Sequence, residues 1–270
     1  MQNNYLWCME KYLPLAIEAA VKAGIETLKI YDTDFDVYEK QDASPLTEAD
    51  KASHNIIMSF LQQTGIPVLS EEGKEMSYEQ RQNWQNLWIV DPLDGTKEFI
   101  KKNGEFTINI ALIENQKPVL GVIYVPVLKT LYFGSKKSGA FKVEEVEVFN
   151  WQEIEKNKIK IPVNEERPYT VVASRSHLSS ETSDYIAEVE KNHGNIETLS
   201  RGSSLKLCMI AEGKADEYPR FAPTMEWDTA AGQAIIEASG GEVIDWETKQ
   251  PMLYNRENLL NNWFLAKRKF

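Results

Sequence analysis

The stretch Leu87-Trp88-Ile89-Val90-Asp91-Pro92-Leu93-Asp94-Gly95-Thr96 joins a short apolar run to two closely spaced aspartates. The four apolar residues at its start predict a buried strand that ends where the carboxylates begin. Pro92 predicts a turn at that point, because its ring restricts the backbone. We therefore expect the side chains of Asp91 and Asp94 and the carbonyl of Leu93 to converge on one small volume.

The chemistry of this stretch favours a bound cation. Converging carboxylates repel one another unless a cation joins them, and hard oxygen ligands suit Mg²⁺. Gly95 lets the backbone approach a ligand closely, and Thr96 stands where a short helix begins, with free N–H groups that attract an anion. A tight turn whose aspartates only cap the backbone would use the same residue types. Residues 91–96 alone are therefore compatible with either a cation site or a simple turn.

Two amphipathic helices are predicted on the N-terminal side. Apolar residues at helical spacing predict one helix over residues 13–29 and a second after Thr47. Thr47 is a favourable N-cap, and Asp50 three positions later approximates a capping box. Glu71-Glu72 follows a short apolar run at 66–69, so one of these glutamates could enter the same cleft as the aspartates.

The middle of the chain is rich in predicted strands. Residues 106–113 and 119–125 predict strands on either side of a turn at 115–118, and a further strand follows at 131–133. Connections of only a few residues cannot make parallel crossovers, so this sheet is expected to be antiparallel.

The C-terminal part has a different pattern. The segment 150–168 is charged and contains two prolines, and we place a domain boundary near its end. Strands and helices then alternate, with helices expected over 179–191, 203–212 and 228–239, the last with Asp228 as its cap. The fold class is therefore α+β or α/β, with an N-terminal domain over residues 1–166 that carries the metal site and a smaller C-terminal domain over 167–270.

Composition limits the classes of function. The 270 residues include 30 Lys and Arg against 41 Asp and Glu, a formal net charge of −11. Such a surface repels nucleic-acid polymers and anionic lipid. It still admits a small phosphorylated substrate where a bound cation or a basic group reverses the sign of the local charge.

Cys8 and Cys208 form no disulfide framework, which favours the cytoplasm. No signal peptide or transmembrane segment is expected, since the longest apolar stretch, 119–128, is too short.

Several common catalytic motifs are missing from the sequence. It contains neither of the standard glycine-rich nucleotide loops and no G-x-S-x-G nucleophile elbow. His54, His177 and His193 lack metal-ligand spacing, and the two cysteines make no zinc set. Catalysis is therefore expected to depend on carboxylates.

The carboxylate motifs resemble those of a known family. Trp88 to Thr96, with the preceding Glu71-Glu72 and the later Trp227-Asp228-Thr229-Ala230-Ala231-Gly232, resembles the inositol monophosphatase superfamily of lithium-sensitive phosphatases. The resemblance extends in the expected order from Pro45-Leu46-Thr47-Glu48-Ala49-Asp50 to Asp228. The bisphosphate nucleotidase branch of that superfamily is indicated by four further segments: Lys97-Glu98-Phe99, Ser174-Arg175-Ser176-His177, Gly202-Ser203-Ser204-Leu205-Lys206 and Tyr218-Pro219-Arg220-Phe221.

This resemblance implies a layered αβαβα sandwich and two or more Mg²⁺ ions. The implied metal ligands are Glu71, Asp91, the Leu93 carbonyl, Asp94 and Asp228. A metal pair of this kind stabilises both the attacking and the leaving oxygen of an in-line displacement. The resemblance also implies that Thr96 orients the attacking water with the help of Glu71 or Asp50, and the choice of base between those two is open.

Substrate contacts are implied at a second set of residues. The N–H groups of Gly95, Thr96 and Lys97 would hold the 3′-phosphate at the helix start. The remaining substrate contacts are expected from Lys206 and Arg220 at a 5′-phosphate, Ser203 through its hydroxyl, His177 beside the adenine or ribose, and Asp228. Each cation has a simpler alternative, Lys206 as a solvated helix residue and Arg220 as a surface ion-pair partner, and His177 could be an ordinary loop residue. Arg175 and Arg201 lie close to these positions in sequence.

The function implied is a Mg²⁺-dependent phosphatase that converts adenosine 3′,5′-bisphosphate into AMP and phosphate in sulfur assimilation. A second expected substrate is 3′-phosphoadenylyl sulfate, and the resemblance also implies inhibition by Li⁺. Two alternatives stay open: an inositol or sugar monophosphatase, and a non-catalytic sensor of bisphosphate nucleotides. The sequence leaves open whether the protein is a monomer or a homodimer and whether it associates peripherally with the cytoplasmic face of the inner membrane.

Overall fold

The computed structural model describes residues 9–39, 45–174 and 179–269. The helices are α1 (Leu13–Tyr31), α2 (Glu48–Leu61), α3 (Tyr78–Arg81), α4 (Thr96–Ile100), α5 (Trp151–Asn157), α6 (Ser180–His193), α7 (Leu205–Glu212) and α8 (Glu226–Ala238). A short antiparallel pair, β1 (Val37–Glu39) and β2 (Pro45–Thr47), lies between the first two helices.

A seven-stranded sheet forms the larger part of the fold. Its strands lie side by side in chain order: β3 (Val68–Ser70), β4 (Asn86–Asp94), β5 (Thr107–Glu114), β6 (Lys117–Val125), β7 (Thr130–Ser135), β8 (Gly139–Val143) and β9 (Ile159–Ile161). Every neighbouring pair is antiparallel except β3 and β4. The expectation of an antiparallel middle region is confirmed.

A second sheet has five strands in the order β11-β10-β12-β14-β13. These strands are β10 (Tyr169–Ser174), β11 (Ile196–Arg201), β12 (Glu217–Arg220), β13 (Glu242–Asp245) and β14 (Phe264–Lys267). The strands β11 and β12 lie parallel to β10, whereas β14 is antiparallel to both β12 and β13.

Helices and sheets alternate in five layers. One face of the large sheet packs its apolar side chains, such as Trp88 and Ile110, against α1 and α2. The opposite face packs Ile89 and Ala111 against α7 and α8, whose other sides contact the small sheet. The helix α6 contacts that sheet as well. The expected αβαβα sandwich is confirmed.

The charged segment expected to mark a domain boundary contains regular structure. Asn150 caps α5 by accepting hydrogen bonds from the N–H groups of Gln152 and Glu153, and β9 adds to the edge of the large sheet. Only Ile154 of α5 and Ile161 of β9 are buried, so the charged residues lie at the surface and obscured both elements in the sequence. The division into residues 1–166 and 167–270 stays a prediction.

Two helix starts differ from the sequence prediction. The helix α7 begins at Leu205 rather than Ser203, and α8 begins at Glu226 rather than Asp228. Ser203 has a positive φ of 44°, which no α-helix tolerates, so it belongs to the preceding turn.

Within the described ranges, no helix combines the length and the apolar character that a membrane crossing requires.

Candidate active site

An irregularity in β4 brings the two aspartates of the sequence motif together. Asp91 pairs with Asn109 of β5, and Asp94 pairs with Thr107, so two residues of β4 lie opposite one residue of β5. In a regular strand, residues three positions apart point to opposite faces, and a bulge with one extra residue brings them to the same face. The strand thus continues through Asp94, where the sequence had suggested a turn at Pro92.

The parallel strand β3 delivers Glu71 beside Asp91. Ser70 pairs with Val90, and the N–H of Glu71 donates to the Val90 carbonyl at 3.1 Å. Glu71 therefore follows the carboxyl end of β3 and lies beside Asp91 in the C-terminal half of β4, and this end of parallel strands often forms ligand sites. The Glu71 side chain hydrogen-bonds with that of Asp91.

The third aspartate comes from the first turn of α8, more than a hundred residues later in the chain. Asp228 lies at the third position of this helix, and its Oδ2 accepts a hydrogen bond from the Met225 N–H at 2.8 Å. Asp228 therefore caps the helix from inside its first turn. Carboxylate oxygens of Asp91, Asp94 and Asp228 all lie within 4.8 Å of one another, which makes a cluster that could hold a metal ion.

The electrostatics of the cluster fit a cation. Asp91 is 1% exposed, and burial raises its pKa well above the ordinary value, with further increases from the charges of Glu71, Asp94 and Asp228. Burial and the charge of Asp94 raise the pKa of Asp228 in the same way. A divalent cation would offset this repulsion, and an all-oxygen donor set suits Mg²⁺. The residues present therefore fit the group that the family resemblance implies.

Thr96 and Asp50 meet at the edge of the cluster. The Thr96 hydroxyl donates to Asp50 Oδ1 at 3.1 Å and lies 3.4 Å from the Leu93 carbonyl oxygen. Asp50 Oδ2 accepts from both the N–H and the hydroxyl of Thr47, at 2.8 and 2.6 Å, so the predicted capping box of α2 is confirmed. Asp50 is buried, and its orientation is defined by the helix that it caps.

A cavity next to the cluster contains most of the expected substrate contacts. It is lined by Asp94, Gly95, Lys97, Ser203, Lys206, Arg220 and Asp228, among others. Arg201 lines the cavity too, whereas His177 and Arg175 lie outside the described residues.

The two cations expected at a second phosphate are buried rather than solvated. Lys206 is 6% exposed and Arg220 is 9% exposed, so neither is a surface residue as the simpler alternatives required. The Lys206 ammonium donates to the Arg201 and Ser203 carbonyls at 3.2 and 2.6 Å, and burial lowers its pKa to about 8. The Arg220 Nη2 donates to the Pro223 carbonyl. The Ser203 hydroxyl and the Arg220 Nε are buried without a hydrogen-bond partner among the residues that the structure describes.

Sequence reasoning missed several residues that support the carboxylates. Asn109 Nδ2 donates to Ser204 Oγ at 2.9 Å, and Ser204 donates to Asp94 Oδ2 at 2.7 Å. Ser53 of α2 donates to the Pro92 carbonyl at 2.6 Å and ties that helix to the bulge. Ser204 was part of a quoted motif without a role, but nothing in the sequence signals the partners of Asn109 or Ser53.

The fold and this carboxylate site define a class of protein. The model of the inositol monophosphatase family matches residues 9–269, and the chain belongs to this family. The resemblance inferred from the sequence motifs is thereby confirmed.

Particular relatives are more informative than the family. The chain is 47% identical, over 92% of its length and 96% of the relative's, to the 3'(2'),5'-bisphosphate nucleotidase CysQ of Salmonella typhimurium. It is 46% identical to the corresponding protein of Escherichia coli K12, over 92% and 96% of the two chains. The crystal structure of CysQ from Bacteroides thetaiotaomicron, described as a bacterial member of the inositol monophosphatase family, superimposes with a TM-score of 0.88. It has 53% identity, and the match covers 95% of this chain and 96% of that one.

Proposed function

We propose that this protein is a Mg²⁺-dependent 3′(2′),5′-bisphosphate nucleotidase that removes the 3′-phosphate of adenosine 3′,5′-bisphosphate. The observation that carries the proposal is the pairing of an acidic cluster with a cavity that contains Lys206 and Arg220 in buried positions. A single phosphate at the carboxylate cluster would need no such cations. Two buried cations a short distance away suit a substrate with a second phosphate.

The carboxylate side of the cavity is the proposed place of reaction. Glu71, Asp91, Asp94, Asp228 and the Leu93 carbonyl are the proposed ligands of two Mg²⁺ ions. When bound, these ions supply charge neutralisation and an activated water at neutral pH. The protein itself contributes a pre-arranged set of oxygens, because the bulge of β4 and the first turn of α8 position them before substrate arrives.

The proposed role of Thr96 is to orient the attacking water. Its hydroxyl hydrogen is directed to Asp50, so the lone pairs of Oγ1 are free to accept a hydrogen bond from water. The water oxygen bonds to phosphorus as the bond from phosphorus to the 3′-oxygen breaks. The attacking water gives one proton to the base by way of the Thr96 hydroxyl, and the departing 3′-oxygen takes a proton from solvent. Of the two candidate bases, Glu71 and Asp50, we favour Asp50, because it already accepts a hydrogen bond from the Thr96 hydroxyl.

The phosphate-binding groups on the protein are the N–H groups of Gly95, Thr96 and Lys97 at the start of α4. First-turn N–H groups have no partner within their helix and attract anions. Lys206, Arg220 and the Ser203 hydroxyl are proposed to bind the 5′-phosphate. We include His177 in the proposal as a contact of the nucleoside. The same site would accept 3′-phosphoadenylyl sulfate and would be inhibited by Li⁺, and the expected setting is sulfur metabolism in the cytoplasm.

The deciding experiment compares kcat/KM for phosphate release with Mg²⁺ from three substrates: adenosine 3′,5′-bisphosphate, inositol 1-phosphate and fructose 1,6-bisphosphate. We expect a strong preference for the nucleotide and AMP as the product. A preference for inositol phosphate would overturn the proposal in favour of a monophosphatase. Tight nucleotide binding without turnover would instead indicate a non-catalytic sensor.

A further inference from the structure

Glu105 connects two loops that line the cavity. It lies between α4 and β5, and its Oε2 accepts a hydrogen bond at 2.8 Å from the N–H of Gly202, which follows β11. Its Oε1 lies 4.0 Å from the Nε of Arg201. Glu105 is thus a contact between the phosphate-binding side of the cavity and the turn that leads into α7.

The turn held by Glu105, residues 201–204, determines where the buried ammonium of Lys206 lies. The Lys206 Nζ donates to the carbonyls of Arg201 and Ser203, the residues on either side of Gly202. Ser203 adopts φ 44°, a conformation that a non-glycine residue keeps only where its surroundings hold it. A shift of this turn would therefore move the cation that the proposed second phosphate needs.

The two loops touch through their backbones. A Cβ added at Gly202 would lie 2.9 Å from the Glu105 carbonyl oxygen, and one added at Gly95 would lie 3.1 Å from it. The turn therefore meets Glu105 twice, by a close steric contact with its backbone and by a hydrogen bond to its carboxylate. Together they define the distance between Gly95 and Lys206.

We propose that Glu105 is a positioning residue for substrate discrimination: it holds residues 201–204 so that Lys206 reaches the second phosphate of the nucleotide. This inference rests on the proposed function and adds a determinant of its specificity. Glu105 acts through the turn and does not contact the reacting atoms. What matters is its acceptor oxygen, since the bond to Gly202 is made by a backbone donor.

The test measures KM and kcat for adenosine 3′,5′-bisphosphate and for 3′-AMP, which lacks the second phosphate. In Glu105→Ala, loss of the acceptor is expected to raise KM for the bisphosphate about tenfold. Both constants for 3′-AMP should stay within about twofold, because the metal side of the cavity is unchanged. Glu105→Gln keeps an acceptor oxygen and should restore a KM near that of the unmodified protein.

Glu197→Ala is the matched control, because Glu197 is an exposed glutamate of β11, the strand that leads into this turn, and it does not line the cavity. It should leave KM for the bisphosphate unchanged or lower. Equal losses with both substrates, or equal KM values in Glu105→Ala and Glu105→Gln, would overturn the inference. Failure of the proposed function is distinguishable, since it would appear in the unmodified protein as no preference for the bisphosphate over 3′-AMP.

Discussion

The Thr96 hydroxyl donates a hydrogen bond to Asp50 Oδ1 at 3.1 Å, across 46 positions of sequence. Asp50 at the same time caps α2 through its other oxygen. One carboxylate therefore orients both a helix and the hydroxyl next to the acidic cluster. The position of Thr96 relative to the cluster depends on a helix from a different part of the chain.

Removing this hydroxyl should affect the rate more than binding. In Thr96→Val, which keeps the shape of the side chain, kcat is expected to fall by about 10²–10⁴-fold because water loses its acceptor and its route to Asp50. KM should change little. Thr96→Ser restores the hydroxyl and is expected to recover most of the activity, as steady-state kinetics with the bisphosphate would measure. An unchanged kcat in Thr96→Val would remove Thr96 from the mechanism.

Metal binding should depend on Asp91. At Mg²⁺ concentrations about 100 times Kd, binding stabilises a protein by about 2.7 kcal/mol, so thermal unfolding of the unmodified protein should shift upward with Mg²⁺. In Asp91→Asn this shift should disappear. The midpoint in EDTA should rise, because a buried carboxylate repelled by its neighbours has been replaced by a neutral amide.

Glu72→Gln is the control for the metal experiment, since Glu72 stands next to Glu71 but outside the cluster. Its Mg²⁺-induced shift should match that of the unmodified protein. A full Mg²⁺ response in Asp91→Asn would show that the ion binds elsewhere.

Binding of the second phosphate should weaken at alkaline pH. Burial lowers the pKa of Lys206 to about 8, and only the protonated amine attracts a phosphate, so kcat/KM for the bisphosphate should fall as pH rises through about 8. With 3′-AMP this decrease should be missing. Lys206→Arg keeps its charge at any accessible pH and should lose the decrease. If the decrease persists in Lys206→Arg, another group causes it.

The lowered pKa of Lys206 affects stability in the opposite direction to kcat/KM. The unfolded chain protonates this lysine up to about pH 10.4, whereas the folded protein releases the proton near pH 8. The unfolded state therefore binds more protons between these values, and the contribution of Lys206 to the free energy of unfolding rises with pH there. A falling kcat/KM thus reflects substrate binding and not loss of the fold.

A buried network below Asp228 should be important for stability. Glu226 is 0% exposed and accepts hydrogen bonds from the N–H groups of Asn255 and Arg256 at 2.6 and 3.0 Å. Arg81 donates to the Asn255 side chain at 3.1 Å and extends the network to α3. In Glu226→Gln an amide N–H₂ group would face backbone N–H donors. The free energy of unfolding is therefore expected to fall by about 1–3 kcal/mol.

Thermal unfolding measures this loss of stability. The midpoint temperature is expected to decrease by several degrees, since about 1 kcal/mol corresponds to roughly 2–4 °C in a chain of this size class. Glu257→Gln is the matched control, because Glu257 is exposed and only its backbone carbonyl meets Arg81. Equal midpoints for the two variants would contradict the structural role of Glu226.

Local patterns in the sequence were sufficient for much of the fold. Apolar periodicity located α1, α2 and most strands of the large sheet, because helices and strands bury residues at different spacings. Thr47 and Asp50 identified a helix start correctly, since capping is an interaction between near neighbours. The charged surfaces of α5 and β9 concealed both elements, because their packing depends on few apolar residues.

The sequence by itself determined the family and supplied the carboxylates Asp91, Asp94 and Asp228 that form the acidic cluster. Only the tertiary structure decided how these groups meet. The bulge in β4 depends on pairing with β5, and the contacts of Ser204 and Glu105 join residues about a hundred positions apart. The sequence left open whether Lys206 is a phosphate contact or a solvated helix residue, and its burial became visible only in the tertiary structure. Such distances and burial arise from the packing of whole layers, which no local pattern encodes.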